Sequence, residues 1–516
     1  MKCTIGLDFG TQSARGVLVD ADSGSIIQTA VAEYAHALTE DCLVDGEDYD
    51  MALEKLLTEL GNGREIAGIA VDATALTLVP VARDGRLLSA NMPDEPHARV
   101  KLWKRHTAQK YADMALETAR KHGEGFLRNT GDTISCEWTI PKLLETLYEA
   151  PDVWENMDIA LDLCDYLTWR LTGNVTRSAA SMCYKSCWTY ENGFPSEGFL
   201  DALAPGFAGD YKRLMRGEIL PPGEKAGELL NEWKEKLGIA GKAAGAAGQP
   251  DGNTPPVAMG AVHDGDVSLT IGTSMVMLVN SAGDAAMDGL IGAAPGGIVP
   301  GLTALECGQN CTGELLGWYV DNMLPYADVR EAEALGISAH ELLAEKICVP
   351  WENRVVATNW LNGSRCAPSD MELTGAFSGI TLDTRPEDIY LALVQSLAVS
   401  TREMLDMCRA NGAEIKRIYA AGGVARKSPM LMQQFADICG MEICVTGSGE
   451  ASAYGSAVLA AVAAGIYKDI PAACDVMCRD GMTMYVPDGE HREEYEALYA
   501  RCRRIRKRMA EMQHEN

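Results

Sequence analysis

The stretch IGLDFGTQSARGVLVD (residues 5–20) decides the fold. Apolar residues stand on both sides of FGTQS, a pattern that predicts two buried strands joined by a tight turn. Gly10 lies in this turn, where we expect a backbone conformation that is closed to other residues. Asp8 places one carboxylate directly before the turn. Such a turn exposes backbone N–H groups and the hydroxyl of Thr11, so it is a candidate phosphate site.

A second stretch, VSLTIGTSMVMLVNS (residues 267–281), repeats the order of strand, Gly-Thr turn and strand. One such hairpin in each half of the chain indicates a duplicated lobe. Two facing turns could hold a polyphosphate from both sides, although a purely structural hairpin is the alternative for either one taken alone. The sequence contains no G-x-x-x-x-G-K-[ST] loop, no G-x-G-x-x-G after the first strand and no H-E-x-x-H.

Composition limits the classes of function. The 516 residues are enough for two or more domains, and the net charge of −28 repels nucleic acid and anionic membranes. Sixteen cysteines without a C-x-x-C pair predict a reducing cytosol and scattered buried thiols rather than a zinc site. We find no signal peptide, and the longest apolar run (residues 457–467) is too short to span a membrane. We therefore expect a cytoplasmic protein.

The middle of the chain is predicted to be mostly helical. WTIPKLLETLYEAPDVWENM (residues 138–157) and CDYLTWRLTG (residues 164–173) have apolar positions three or four apart. Glycine and alanine then crowd residues 238–256, a composition that we expect to break both helices and strands. We place the domain boundary here, with an N-terminal domain at residues 1–246 and a C-terminal domain at residues 247–516.

Three segments organise the second half. The segment IYAAGGVARKSPMLMQQFADICG (residues 418–440) predicts a strand, a double-glycine turn and a helix. EASAYGSAVLAAVAAG (residues 450–465) predicts a buried helix. The tail REEYEALYARCRRIRKRM (residues 492–509) predicts a charged helix whose basic cluster is a solvated face.

GLDFGTQS (residues 6–13), LTIGTS (residues 269–274) and the double-glycine segment together resemble the nucleotide site of the actin, sugar kinase and heat-shock chaperone superfamily. More narrowly, nearly the whole chain resembles the FGGY carbohydrate kinases, and residues 372–396 are similar to the C-terminal signature of that family. Within the family the similarity is greatest to the kinases of ribulose, on residues 91–108, 135–145, 178–188 and 301–320. The resemblance implies an α/β fold of two actin-like, ribonuclease H-like lobes with mixed sheets, helical insertions and a cleft between them.

In this family a carboxylate ahead of the second hairpin acts as general base toward the sugar hydroxyl. Three acids compete for this role, namely Asp251, Asp264 and Asp266. The spacing of the family fits Asp251, which precedes Gly272 by 21 residues (272 − 251). Asp264 and Asp266 lie in HDGD, which is typical of a solvated turn before a strand. Phosphoryl transfer requires alignment, charge neutralisation and a proton acceptor, and Asp251 supplies the acceptor.

The resemblance implies ATP and Mg²⁺ as cofactors. It places Mg²⁺, held through water, at Asp8 and Asp251, since hard cations prefer oxygen ligands and retain waters. The implied nucleotide-binding residues are Asp8, Gly10, Thr11, Gln12, Gly272, Thr273, Ser274, Gly422, Gly423 and Lys427. Lys427 and Ser428 could equally cap the helix that follows them.

The resemblance also implies a sugar site. Its expected members are Ala75, Trp103, Lys185, Asp251 and Glu306. Lys185 and Glu306 offer a donor and an acceptor to sugar hydroxyls, and a surface lysine and a surface ion pair are the alternatives. Trp103 could stack on a sugar face or belong to the core.

The implied reaction is transfer of the γ-phosphoryl group of ATP to the C5 hydroxyl of a ketopentose, ribulose before others. The loop GQPDGNT (residues 248–254) is nearer to other pentulose kinases, so xylulose, ribitol or a related polyol is the alternative substrate. A nucleotide-gated chaperone or a non-catalytic sugar sensor is the alternative from another class. The short segment after Gly465 argues against the chaperone, and the presence of Asp8 and Asp251 argues against the sensor. The expected partners are a small sugar and ATP, without nucleic acid or membrane, and a homodimer is one option for the assembly.

Overall fold

The computed structural model describes residues 2–239, 241–283, 289–366, 368–447, 449–479 and 481–514, without the side chains of Tyr184 and Lys185. The strands of the first half are β1 (Cys3–Phe9), β2 (Ser13–Asp20), β3 (Ile26–Glu33), β4 (Leu43–Val44), β5 (Ile66–Ala73), β6 (Leu78–Ala82), β7 (Val100–Lys101), β8 (Met157–Asp162), β9 (Thr176–Ser178), β10 (Glu218–Leu220), β11 (Lys225–Glu228), β12 (Ala244–Ala246) and β13 (Gln249–Pro250). Its helices are α1 (Glu47–Gly61), α2 (Leu88–Asn91), α3 (Gln109–His122), α4 (Thr139–Glu149), α5 (Pro151–Asn156), α6 (Leu163–Thr172), α7 (Ala179–Lys185), α8 (Glu197–Leu203), α9 (Phe207–Leu214) and α10 (Asn231–Leu237).

The second half follows the same style of alternating strands and helices. Its strands are β14 (Asp266–Ile271), β15 (Met275–Ser281), β16 (Gly292–Pro295), β17 (Thr303–Gln309), β18 (Val356–Ala357), β19 (Phe377–Ser378), β20 (Arg417–Ala421), β21 (Ile443–Val445) and β22 (Thr483–Tyr485). Its helices are α11 (Pro255–Ala258), α12 (Gly313–Asn322), α13 (Tyr326–Leu335), α14 (Ala339–Lys346), α15 (Pro386–Ala410), α16 (Gly423–Lys427), α17 (Pro429–Cys439), α18 (Ala451–Ala463), α19 (Ile470–Met477) and α20 (Arg492–His514).

Each half is built on one large mixed sheet. The first sheet has the order β11-β12-β5-β1-β2-β3, with β13 also paired to β5, and the second has the order β16-β17-β15-β14-β20-β21-β22. In both sheets the Gly-Thr hairpin is antiparallel, and its first strand pairs in parallel with the next strand of the sheet. A second parallel strand and an antiparallel edge strand follow in both. The shared strand order and direction confirm the predicted duplication.

The sequence explains why the hairpin strands lie in the centre of their sheets. Ile5, Leu7 and Phe9 of β1 are fully buried, as are Leu269 and Ile271 of β14. Central strands covered on both faces need such nearly continuous apolar runs. The two hairpins therefore form the rigid middle of each lobe, and their turns project from the edge of the sheet.

Helix α18, from the second half of the chain, packs on the first sheet. A Cβ atom on Gly6 of β1 would lie 1.8 Å from the carbonyl oxygen of Ala453, and one on Gly68 of β5 would lie 2.4 Å from that of Ala460. Both glycines therefore allow the backbone of the helix to approach the strands directly. The helix is buried, as predicted, and it joins the two lobes in a shared apolar cluster.

The structure corrects several expectations from the sequence. Gly10 does not adopt a positive φ, so its turn does not require glycine for backbone conformation. The Gly/Ala-rich stretch does not break every strand, because it contains β12 and β13 of the first sheet. In the tail helix Arg506 is buried, donating hydrogen bonds to Asn359 and Ser400, so the basic cluster is not wholly a solvated face.

Other expectations agree with the structure. The sixteen cysteines are free, and most are buried. Among the described residues, no helix combines the length and the apolar character that crossing a membrane requires. The division at residues 246 and 247 stays a prediction.

Candidate active site

Three aspartates meet at the carboxyl ends of neighbouring parallel strands. Asp8 of β1 is opposite Asp72 of β5 in the register of the first sheet, and Gln249 of β13 is opposite Asp72 on its other side. Asp251 follows β13 directly and begins a short 3₁₀ turn. Because parallel strands end at one edge of a sheet, this register brings the three carboxylates together.

The pKa values of these acids reflect their closeness. Burial, and then the charge of Asp8, raise the pKa of Asp251 to about 7. Burial raises the pKa of Asp72 well above its ordinary value, with the charge of Asp8 adding to the effect. The pKa of Asp8 is also raised by burial, against the opposing effects of Asp72 and Arg15. Asp8 and Asp251 therefore lie close enough for their charges to interact.

Asp72 was missed by sequence reasoning. Its side chain is fully buried, and one carboxyl oxygen accepts a 2.6 Å hydrogen bond from the hydroxyl of Ser456 on α18. Its other oxygen, Oδ1, has no donor among the described residues, and a proton shared with Asp8 would satisfy it. A buried acid within the apolar strand IAGIAVDA was the signal that could have identified it.

Two backbone N–H groups donate to the Asp251 carboxylate, those of Gly252 and Ala75, and both lower its pKa. Ala75 lies in the turn that follows β5, where the hydroxyls of Thr74 and Thr77 are 2.8 Å apart. The structure thus places the predicted residue Ala75 against the predicted base. Its backbone, rather than its methyl group, makes the contact.

The first Gly-Thr turn lies beside this cluster. The N–H of Gly10 donates to the carbonyl of Ser13 over 3.1 Å, and Gln12 is exposed. The indole N–H of Trp103 donates to the hydroxyl of Thr11 over 3.2 Å. Trp103 is 38% exposed and lies in the turn after β7, so it belongs to the rim of the site rather than to the core.

The second turn is backed by the beginning of α12. Gly272 N–H donates to the carbonyl of Ser274 over 2.9 Å, and Thr312 N–H donates to that of Thr273 over 2.8 Å. A Cβ atom on Gly313 would lie 2.7 Å from the carbonyl oxygen of Gly272. The N–H of Gly313, the first residue of α12, donates to the Gly272 carbonyl over 3.0 Å, so the helix offers an anion at the turn the partial positive charge of its N-terminus.

The double glycine lies next to the second hairpin. Gly422 has φ of 107°, and a Cβ atom there would lie 2.2 Å from the carbonyl oxygen of Ile271, so only glycine fits. Gly423 faces open space and begins α16, which ends at Lys427. The hydroxyl of Ser428 accepts a hydrogen bond from the N–H of Leu431, so Ser428 caps α17.

The remaining sugar-site predictions lie on the other side of Asp251. Glu306 of β17 lines a small cavity of about 20 Å³ with Pro250, Asn253 and Ala180. Ala180 belongs to α7, whose last residue is Lys185. The side chain of Lys185 lies outside the described part of the structure.

The two rejected acids have structural roles. Asp266 is 2% exposed, and its carboxylate accepts hydrogen bonds from the N–H groups of Val262 and His263. Asp264 pairs with Lys416 over 3.0 Å. Both lie where β14 begins, at the opposite end from the Gly272 turn. Asp266 is therefore a buried turn acid, not the solvated one that we expected.

Two family models match the sequence. The model described as the FGGY family of carbohydrate kinases, N-terminal domain, matches residues 3–242, and the corresponding C-terminal domain matches residues 267–464. Ribulokinase of Halalkalibacterium halodurans is 35% identical over 96% of this chain and 93% of its own. Ribulokinase of Mycolicibacterium smegmatis is 32% identical over 97% and 92% of the two chains.

Solved structures share the fold at low sequence identity. Xylulose kinase from Rhodospirillum rubrum superimposes with a TM-score of 0.83 at 21% identity, over 99% of this chain and 100% of that one. Gluconate kinase from Lactobacillus acidophilus gives a TM-score of 0.81 at 20% identity, over 99% and 98%. These likenesses establish the two-lobed architecture.

Proposed function

The chain belongs to the FGGY family of carbohydrate kinases, and on this premise we propose that it transfers the γ-phosphoryl group of ATP to the C5 hydroxyl of ribulose. It is an ATP-dependent sugar kinase. One observation carries the proposal for its chemistry: Asp8 and Asp251 lie beside the first Gly-Thr turn, at the ends of two strands that both pair with β5, and the charge of Asp8 raises the pKa of Asp251. The similarity to ribulokinases over 96% of the chain supports ribulose as the acceptor.

Asp251 acts as the general base. A carboxylate with a pKa near 7 is matched to accepting the proton of a sugar hydroxyl at neutral pH. The N–H groups of Ala75 and Gly252 orient the carboxylate so that one oxygen stays directed to the hydroxyl. The attacking oxygen is thereby aligned before it meets the phosphorus.

The two Gly-Thr turns hold the phosphates. Backbone N–H groups near Thr11 and Thr273 offer donors without a lysine, and the N-terminus of α12 adds its partial positive charge. Gly422 and Gly423 let the adenosine approach the second sheet closely. Lys427, at the end of α16, is exposed and able to reach the nucleotide.

The residues present fit a water-held Mg²⁺. Within the described residues, no three His, Cys, Asp or Glu side chains converge as direct metal ligands. Asp8 and Asp251 nevertheless place two carboxylates in one space, and Mg²⁺ in kinases keeps several waters and uses one or two carboxylates. When bound, the ion supplies neutralisation of the phosphate charge. Asp8 would hold it, with Asp251 contributing through water.

The sugar occupies the space between Asp251, Glu306 and the rim at Trp103. Glu306 accepts from sugar hydroxyls and Lys185 donates to them, so that a polyol leaving water keeps its hydrogen bonds. Trp103 covers one face of the sugar with its ring. Xylulose, an epimer of ribulose, and ribitol, its reduced alcohol, remain the competing substrates because they differ from ribulose in where these donors and acceptors must lie.

A coupled ADP-release assay across ketopentoses and pentitols tests the proposal. We expect the largest kcat/KM for one enantiomer of ribulose, with xylulose and ribitol poorer. A larger kcat/KM for xylulose or ribitol would contradict the assignment of the sugar. Absence of ADP release with every sugar of the panel would contradict the proposal as a whole.

Replacing Asp251 by Asn tests the base. The variant keeps the size of the side chain but cannot accept the proton, so kcat should fall by about 10²–10⁴. Asp264→Asn is the matched control, because this acid pairs with Lys416 where β14 begins, at the end of the strand away from the Gly272 turn. Near-normal turnover of the Asp251→Asn variant would remove this residue from the role.

A further inference from the structure

Leu76 is held in an unusual backbone conformation next to the base. It is a non-glycine residue with φ of 64°, in the turn between β5 and β6. The left-handed conformation costs an L-residue with a branched side chain free energy, and it persists only where the surroundings enforce it. Its neighbour Ala75 donates the backbone hydrogen bond to Asp251. The conformation of Leu76 therefore helps to set the path of the turn that carries this donor.

The buried side chain of Lys142 and the half-buried side chain of Asp162 hold the peptide groups of Leu76. The ammonium of Lys142 on α4 donates to the carbonyl of Leu76 over 2.6 Å and to that of Leu102 over 3.0 Å. The carboxylate of Asp162, the last residue of β8, accepts from the N–H of Leu76. Hydrogen bonds to charged groups are stronger than neutral ones. The N–H and the C=O of Leu76 are thus held by opposite charges from two different elements.

The burial and the hydrogen bonds of Lys142 indicate a structural role at Leu76. The Lys142 side chain is fully buried, yet among the described residues it forms no ion pair within 4 Å. Its ammonium donates hydrogen bonds to backbone carbonyls instead. Isolating a lysine from water in this way is costly, and burial lowers the pKa of Lys142 to about 7. The cavity between Leu76, Lys142 and Asp162 measures only about 10 Å³, room for no more than one water. The two charges are therefore not a ligand site.

Asp162 also contacts a second element, helix α7. The hydroxyl of Ser181 on α7 donates to its carboxylate, and the N–H of Leu163 donates over 2.8 Å. Helix α7 leads to Lys185 and packs near the cavity lined by Glu306. One carboxylate thus ties the turn beneath Asp251 to the helix on the other side of the sugar space.

We propose that Lys142 and Asp162 are positioning residues, which hold Leu76 in its left-handed conformation and thereby fix the Ala75 N–H against the catalytic Asp251. This inference rests on the proposed function, because the role of Asp251 as base belongs to it. Neither residue touches the sugar or the nucleotide. Both act through the backbone of residues 75 and 76.

Lys142→Met is the first test, made in the full chain. Loss of the hydrogen bond from Lys142 to the Leu76 carbonyl should lower kcat about 10- to 100-fold, because a catalytic contact is misplaced. The KM for ATP should stay the same. Lys101→Met is the matched control. Lys101 is equally buried, but it donates to Glu145, to Thr146 and to the carbonyl of Lys142, not to Leu76. The control should lose thermal stability and keep its kcat.

A glycine and alanine pair at position 76 separates positioning from general damage. Both substitutions remove the leucine side chain, but only glycine adopts the left-handed conformation freely. In the Leu76→Ala background, Lys142→Met should lower kcat about tenfold. In the Leu76→Gly background it should lower kcat little, because glycine adopts the left-handed conformation without strain. Circular dichroism melts establish the folded fraction of each variant.

The outcomes discriminate clearly. An equal loss of kcat from Lys142→Met in the alanine and glycine backgrounds, or an equal loss in Lys101→Met, overturns the proposal. All variants are assayed with whichever sugar the wild type phosphorylates fastest, so a wrong sugar assignment refutes the proposed function and leaves this test valid. An active Asp251→Asn variant contradicts the base, whereas the glycine and alanine pair reports on Leu76 alone.

Discussion

At the scale of single residues, the three clustered acids divide the work because their surroundings differ. Asp72 is fully buried and hydrogen-bonded to Ser456, and burial raises its pKa well above the ordinary value. Asp8 and Asp251 are only partly buried and face the space where ligands bind. The raised pKa of Asp72 reduces the repulsion that three ionised carboxylates would create.

We predict a pH dependence from the raised pKa of Asp251. The base works as the carboxylate, so kcat/KM for the sugar should fall below about pH 7, about tenfold for each unit of pH. A bound cation favours the carboxylate, so kcat, which reports the loaded enzyme, should hold to lower pH. Steady-state kinetics between about pH 5 and 9 measure the pH dependence of both kcat/KM and kcat. A kcat/KM that stays level down to about pH 5 would contradict a base titrating near neutrality.

Whether the sequence could predict a contact of this site depends on how far apart the two residues lie along the chain. Asp8 was predicted because it directly precedes a Gly-Thr turn, and Asp251 because its spacing to Gly272 fits the family that the chain resembles. Asp72 and Ser456 are 384 residues apart, and no local pattern joins them. The hold of Lys142 on Leu76 spans 66 residues and depends on a backbone angle, which composition does not reveal.

At the scale of elements, close approach between backbones explains several glycines better than turn geometry does. Gly6 and Gly68 admit α18 onto the first sheet, and Gly313 admits α12 onto the second Gly-Thr turn. The order of elements along the chain was predictable from apolar periodicity and the double glycine. Which helix would cover which sheet was not, because an all-round apolar helix such as α18 has no distinctive face.

The double glycine provides a paired prediction. Gly422→Ala should lower the free energy of unfolding by several kcal/mol, about 2–4, because of its positive φ and the clash with Ile271. Gly423→Ala should be close to neutral, since nothing lies within 4 Å of a Cβ atom there. Denaturant unfolding without nucleotide measures both. Equal stabilities of the two variants would show that the backbone at Gly422 relaxes without cost.

At the scale of the whole molecule, the candidate site draws on both lobes. Asp8, Ala75 and Asp251 lie on the first sheet, whereas Gly272, Gly422 and the beginning of α12 lie on the second. Such a divided site is complete only when the lobes come together, and closure also excludes water that would hydrolyse ATP. The two-lobed architecture followed from the repeated hairpin. The contacts across the cleft did not, since they join distant parts of the chain.

We predict that the sugar and a non-hydrolysable ATP analogue together reduce the radius of gyration. Each ligand contacts groups from one lobe more than from the other, so either one alone should have a smaller effect. Small-angle X-ray scattering measures the change. The Asp8→Asn variant serves as control, because it weakens the proposed hold on the cation between the lobes. An unchanged radius with both ligands would argue against closure.

The position of α18 has a consequence for synthesis on the ribosome. Strands β1 and β5 are complete once residue 73 has emerged, but the helix that covers them ends at residue 463. At elongation rates of about 5–20 residues per second, one face of this nascent sheet stays bare for about 20–80 s. The glycines that fit the helix so closely leave a shallow, weakly apolar strip meanwhile, and holdase chaperones should engage the nascent chain during that interval.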